Sequence, residues 1–172
     1  MKPTEKRARV LYTDLDGTIR KGFDELGRFV NGPEDVELFE GVRERLWRYK
    51  VAGWRLIAVS NQGGIALGIV PFERAAAAMV RTQELANHAF DKMIMCQHHP
   101  DAADPEYAVC WCRKPRIGGL VEASIDLARA SNEYYPPHLA LFVGDRDEDR
   151  GCAENAGIPF VPAAEWRERG EP

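Results

Sequence analysis

Asp14-Leu15-Asp16-Gly17-Thr18 sets two carboxylates one residue apart. Like charges this close repel, and a hard cation reconciles them: magnesium favours one or two carboxylates together with water and substrate phosphate. A carboxylate is also a competent nucleophile toward phosphorus and gives an acyl phosphate. A neighbouring carboxyl can protonate a leaving oxygen and later activate water. Gly17 lets the chain turn so that Asp16 faces the same place.

Three further segments carry complementary chemistry. Ser60-Asn61-Gln62-Gly63-Gly64 offers a hydroxyl, the amides of Asn61 and Gln62, and backbone N–H groups to phosphate oxygens. In Arg113-Lys114-Pro115 the lysine can neutralise a transferring phosphoryl group, and Arg113 can grip a substrate oxygen bidentately. Gly144-Asp145-Arg146-Asp147-Glu148-Asp149 supplies Asp145 to complete a magnesium site with Asp14, while Asp149 orients that shell or caps the next helix. Taken singly, each segment also fits a solvated polar turn.

Placement along the chain separates the two readings. Val10–Tyr12, Leu56–Val59 and Leu139–Val143 are apolar runs that read as buried strands, and Met93–Met95 as a weaker one. Helical spacing joins Val42, Leu46 and Tyr49, with Gly53 as a stop. A longer helix has Pro71 in its first turn and a stripe through Phe72, Ala76, Met79, Gln83, Ala86 and Phe90. Leu120, Ser124, Leu127 and Ala128 mark a third helix, and Cys152, Ala153 and Ala156 a fourth, closed by Gly157. Strand–helix alternation predicts a three-layer α/β/α fold of Rossmann type around a mainly parallel sheet. Sites in such sheets lie beyond the carboxyl ends of the strands. Asp14, Ser60 and Asp145 each follow a strand and are expected to converge there.

Cys96-x-His98 followed by Cys110-x-Cys112 gives three thiols and an imidazole at the spacing of a closed tetrahedral zinc site. His99 is an alternative to His98 as ligand. The loop between shows no helix or strand pattern, and a metal clip would account for its length. It runs directly into Arg113 and Lys114, so zinc would fix the basic pair. Cys152 reads as core.

Residues 1–172 are expected to form one domain, with the zinc loop at about 96–112. With 23 basic and 27 acidic residues the net charge is −4, which gives no broad attraction to nucleic acid or to an anionic membrane. No apolar run has the length of a membrane span, and Met1–Arg9 lacks an apolar signal core. A cytoplasmic location is the resulting expectation and a monomer is expected at this size, while the four phosphate-directed segments point to a small phosphorylated substrate.

The ordered set Asp-x-Asp-Gly-Thr, Ser-Asn, Lys-Pro and Gly-Asp-x-x-x-Asp resembles the haloacid dehalogenase superfamily, from about Val10 to Val161. The resemblance implies that Asp14 is the nucleophile and Asp16 the general acid/base, with the Asp16 backbone carbonyl also on magnesium. It implies that Ser60 and Lys114 bind the phosphoryl group and that Asp145 binds the metal. The cysteine loop and Ser-Asn-Gln-x-Gly-Ile resemble the branch with D-glycero-D-manno-heptose 1,7-bisphosphate phosphatases and histidinol-phosphatase domains, which have a minimal cap or none. In that branch Arg113 and Arg146 would contact substrate. Leu15, Gly63, Leu67, Ile69 and Ile117 depart from the heptose pattern. Both basic residues of the usual Ala-Arg-Gly-Lys are apolar in Ala66-Leu67-Gly68-Ile69, which points to a substrate with less phosphate or to different leaving-group contacts. Polynucleotide 3′-phosphatases share the Ser-Asn-Gln pattern and form the alternative enzyme class. A non-catalytic phosphate-binding scaffold is the alternative outside enzymes.

Overall fold

The computed structural model describes residues 6–168. Its strands are β1 (Lys6–Arg7), β2 (Arg9–Thr13), β3 (Trp54–Asn61), β4 (Lys92–Cys96), β5 (Glu133–Tyr134), β6 (Ala140–Gly144) and β7 (Phe160–Pro162). Its helices are α1 (Phe23–Leu26), α2 (Val42–Val51), α3 (Phe72–Leu85), α4 (Pro105–Ala108), α5 (Gly118–Ser131), α6 (Asp147–Ala156) and α7 (Ala163–Glu168). The main sheet has the order β4-β3-β2-β6-β7 with every pair parallel, and β1 pairs with β5 separately.

Side chains alternate across each strand, and the alternation builds three layers. Leu11, Leu56, Ala58 and Val143 point to one face, where they pack with Val42 and Leu46 of α2, Met79 of α3 and Trp166 of α7. Val10, Tyr12, Ile57, Val59 and Phe142 point to the other, against Leu120 and Ala123 of α5 and Cys152 and Ala153 of α6. Burying each large apolar side chain stabilises the fold by about 1.5–3 kcal/mol before chain entropy is counted. At the end of the sheet away from the site, Arg55 forks onto Glu133 at 2.7 and 3.0 Å and also approaches Asp91.

The four expected strands and four expected helices are present, with two corrections. Helix α3 buries Ala75, Ala78, Met79 and Thr82, whereas Phe72 is half exposed. Of the expected stripe, Met79, Ala86 and Phe90 are buried, the last two beyond the helix end, while Ala76 and Gln83 are partly buried, so the inward face is rotated toward Ala75, Ala78 and Thr82. The stretch between His98 and Cys110 contains one helical turn, α4, started by the Asp104 side chain accepting from the Glu106 N–H at 2.9 Å. Among the described residues no helix is long and apolar enough to cross a membrane.

Candidate active site

Strand β2 is central, and Asp14 leaves its end with its N–H donating to the Val143 carbonyl at 2.9 Å. Both neighbouring strands end at the same edge. The junctions after β2, β3 and β6 therefore meet around Asp14, as the parallel topology requires.

Lys114 is fully buried and donates to Asp14 Oδ1, to Asp149 Oδ1 at 2.7 Å and to the Val59 carbonyl at 2.7 Å. Burial alone would depress its pKa, but the carboxylates of Asp14 and Asp149 outweigh that and push it up, so it stays an ammonium. Burial pushes the Asp14 carboxyl up. Lys114 opposes that, while Asp149 and Asp16 add to it. Asp145 is also raised, by burial first and then by Asp149.

Oxygens of Asp14, Asp145 and Asp149 lie within 4.8 Å of one another. Three carboxylates face one buried ammonium, which leaves excess negative charge in an all-oxygen donor set. Such a set fits a hard divalent cation. Two glycines make the cluster possible. Gly17 has φ +85°, and a Cβ there would sit 2.6 Å from Asp145 Cγ. A Cβ on Gly144 would lie 2.5 Å from Asp149 Cγ. Thr18 Oγ1 donates to Asp145 Oδ1 at 3.1 Å. Asp149 Oδ2 accepts the N–H groups of Asp145 and Arg146 at 3.2 and 3.1 Å, which caps α6. With its other oxygen on Lys114, Asp149 orients the loop and the lysine.

Asp16 is held from behind. The buried Arg20 donates from Nε to Oδ1 at 2.7 Å and from Nη2 to Oδ2 at 3.2 Å. Its Nη1 is anchored by Thr82 Oγ1 at 2.9 Å and the Ala78 carbonyl at 3.2 Å. Gln62 Nε2 donates to Asp16 Oδ2 at 2.6 Å and to Ser60 Oγ at 2.8 Å. Gln62 thus joins two residues of different segments. Asn61, expected on substrate, has its amide committed elsewhere. Its Oδ1 accepts the Lys114 N–H at 3.0 Å and its Nδ2 donates to the Lys114 carbonyl at 3.2 Å. Sequence reading missed Arg20, because a lone arginine in a loop carries no periodic signal.

The cysteine loop packs beside this edge. Cys96 Sγ lies 3.7 Å from Cys110 Sγ, 3.1 Å from Cys112 Sγ and 3.7 Å from His98 Nδ1, and Cys112 Sγ lies 3.5 Å from the same nitrogen. Zinc–sulfur bonds of about 2.3 Å in a tetrahedron imply sulfur–sulfur edges of about 3.8 Å. The 3.7 Å spacing matches that edge and the 3.1 Å spacing is shorter than it, while three sulfurs and one ring nitrogen are the donor set of a closed zinc site. His98 occupies the fourth corner, while His99 turns to the pocket with Asp101 N–H donating to its Nδ1 at 3.1 Å. Arg113 N–H donates to Cys110 Sγ at 3.3 Å, and its Nη1 to the His98 carbonyl at 3.0 Å. Gly63 leaves room at this contact, since a Cβ would meet His99 Cδ2 at 2.7 Å and Arg113 Nη1 at 3.0 Å and displace those side chains. Leu15 is fully buried in the core.

A cavity of about 290 Å³ opens above these groups, lined at its floor by Asp14, Asp16, Ser60 and Lys114. Gln62, Arg113 and Arg146 also line it, as does Glu148.

Solved structures share this architecture. A HAD-like phosphatase from Mesorhizobium loti superposes with a TM-score of 0.77 at 28% identity, covering 89% of this chain and 70% of that one. D,D-heptose 1,7-bisphosphate phosphatase from B. bronchiseptica, solved with magnesium and phosphate, superposes with a TM-score of 0.69 at 23% identity, covering 95% and 88%. In sequence, D-glycero-D-manno-heptose-1,7-bisphosphate 7-phosphatase of Chlorobaculum tepidum is 30% identical over 90% of this chain and 77% of that protein. The corresponding enzyme of Photorhabdus laumondii is 32% identical over 86% of this chain and 76% of its own. The histidine biosynthesis bifunctional protein HisB of Legionella pneumophila is 31% identical over 90% of this chain, which spans only 41% of that longer protein. No family model matches the chain.

Fold and site together define a phosphatase with a haloacid dehalogenase core. The chain belongs to the branch of that superfamily that contains the heptose bisphosphate phosphatases and HisB.

Proposed function

We propose that the chain is a magnesium-dependent phosphomonoester hydrolase that works through an aspartyl-phosphate on Asp14. Its substrate would be a small phosphorylated metabolite of the sugar-phosphate or histidinol-phosphate kind. The observation that carries the reading is the buried Asp14–Lys114–Asp149 chain at the floor of a small cavity.

Lys114 engages Asp14 Oδ1, which leaves Oδ2 to attack phosphorus in line. The bond to the leaving oxygen breaks as the new P–O bond forms. Asp16 gives its proton to that oxygen, then takes one from a water that attacks the acyl phosphate and releases phosphate. To carry that proton, Asp16 must free one of the oxygens now held by Arg20 and Gln62. Ser60 holds a phosphoryl oxygen, Lys114 holds another by giving up one of its three present acceptors, and Arg113 and Arg146 hold the outer part of the substrate. Magnesium, held by Asp14, Asp145 and the Asp16 backbone carbonyl, would supply charge neutralisation on the phosphoryl group. Zinc on Cys96, His98, Cys110 and Cys112 would be structural.

The cavity volume and the net charge of −4 favour a metabolite over the end of a polynucleotide. Asp14→Asn tests the mechanism. It should reduce hydrolysis of p-nitrophenyl phosphate by at least about 10³-fold while the thermal midpoint stays near wild type. Unchanged turnover would overturn the reading.

A further inference from the structure

The chemistry described so far uses only the floor of the cavity and its basic rim. The remaining wall is mostly apolar, with the side chain of Asn31, whose buried Oδ1 has no hydrogen-bond partner, set in it. Phe23, Phe29, Leu67 and Ile69 line it at 46, 58, 40 and 60% exposure, with Val30 and Val70 buried. Eleven large apolar side chains stand exposed among the described residues, and four of them gather here. Scattered exposure is ordinary in a folded protein, whereas concentration in one concave site marks a surface with an occupant.

Local geometry makes these residues one wall and ties it to the reacting groups. Gly22 packs on the Asp16–Gly17 turn so closely that a Cβ would lie 3.1 Å from Gly17 N and 3.4 Å from Asp16 C. That contact sets Phe23 beside the acid/base. The rings of Phe23 and Phe29 pair with centroids 5.0 Å apart and a 34° tilt. The next residues are bound to the start of α3, where Arg74 Nε donates to the Asn31 carbonyl at 3.1 Å and the Arg74 guanidinium pairs with Glu34. The Leu67–Val70 turn leads directly into that same helix end, with Val70 in contact range of Gly64. The ionisable side chains around the rim come from other segments: His99 and Arg113 from the cysteine loop, Arg146 and Glu148 from the junction of β6 and α6.

Resting on the phosphatase reading of this pocket, we propose that it takes a monophosphate ester whose alcohol carries a flat apolar body, of the arylalkyl class, in preference to a polyhydroxylated sugar phosphate. The phosphoryl end would seat at Asp14, Ser60 and Lys114, and the apolar body would lie on the wall. Aromatic faces pair favourably with a further ring. A polyol on the same wall would lay most of its hydroxyl groups on apolar side chains, with the buried Asn31 Oδ1 as one acceptor in that wall, and the hydroxyl groups left unpaired cost affinity. The volume, about 290 Å³, lies at the small end of ligand sites and suits one ring with its phosphate.

The test compares 2-phenylethyl phosphate with glucose 6-phosphate, both esters of primary alcohols, using the full chain with magnesium. The arylalkyl ester should show a kcat/KM at least about tenfold higher, carried mainly in KM. In a Leu67→Ser/Ile69→Ser variant that ratio should fall by about tenfold through a rise in KM for the arylalkyl ester. If that variant does not fold, Phe29→Ser should lower the ratio in the same sense. Equal or better turnover of the sugar ester by wild type overturns the wall's role and leaves the phosphatase reading standing. So does an unchanged ratio in the folded variants. Hydrolysis of p-nitrophenyl phosphate but of neither ester overturns the wall's role alone, whereas no Asp14-dependent hydrolysis of any of the three sinks the phosphatase reading and this inference with it.

Discussion

Arg20 grips Asp16 by both oxygens, at 2.7 and 3.2 Å, from a fully buried position. The guanidinium fork fixes the carboxylate's plane as a single-point cation would not. Arg20→Lys should therefore lower kcat on p-nitrophenyl phosphate by about 10- to 100-fold with little change in KM. Steady-state kinetics with circular dichroism as a folding control decides it. An unchanged kcat would show that the grip is dispensable.

Asn61 acts through Lys114, whose backbone N–H and carbonyl it brackets at 3.0 and 3.2 Å. Asn61→Ala should cost about tenfold or more in kcat by loosening the lysine. In a double-mutant cycle, Asn61→Ala added to Lys114→Ala should cost almost nothing further. Additive losses would place Asn61 on the substrate instead.

The thiol cluster predicts about one zinc per chain by metal analysis. Cys112→Ser should lower the thermal midpoint. It should also reduce kcat, because Cys110 Sγ holds the Arg113 N–H one residue before the lysine. Zinc ligands must be deprotonated, so the metal should be released progressively as pH falls. Metal-free protein with wild-type kcat would separate the loop from the chemistry.

Glu133 gives a stability prediction with a defined sign. The Arg55 side chain holds its carboxyl below the usual value, with burial opposing. A carboxyl whose folded pKa is depressed contributes stability in full above its unfolded pKa and loses it as pH falls through the folded one. Glu133→Gln should destabilise by about 1 kcal/mol at pH 7. The difference should close as pH falls below about 4. Urea unfolding at both pH values checks this, and a constant difference would refute the ionic origin.

Much of the site was legible because its chemistry sits where strands end. Apolar runs such as Leu56–Val59 and Leu139–Val143 are unmistakable, although Leu139 itself ends a 3-10 turn before the strand, and Ser60 and Asp145 follow them within a residue or two. Periodicity then served poorly where small residues pack. The alanines of α3 bury a face that Phe72 does not share. Single contacts across the fold were beyond reach. Nothing near Arg20 announces that Thr82, 62 residues later, will orient it. The amide of Asn61 looked like a ligand group because composition does not reveal which partner claims a side chain first. The apolar wall was visible only as altered residues at Leu67 and Ile69, since Phe23 and Phe29 join them through tertiary packing.

Strand β2 lies in the middle of the sheet, paired to β3 on one side and β6 on the other along its length. Asp14 is therefore mounted on an anvil. The strand that carries it is paired on both flanks as far as Thr13, and its own N–H donates to the Val143 carbonyl, so its backbone is held in place. Adaptation to a new guest falls to the turns that overhang the edge, which are joined to the sheet only at their ends. Grafting those turns between relatives should exchange what is hydrolysed while the strike itself stays the same.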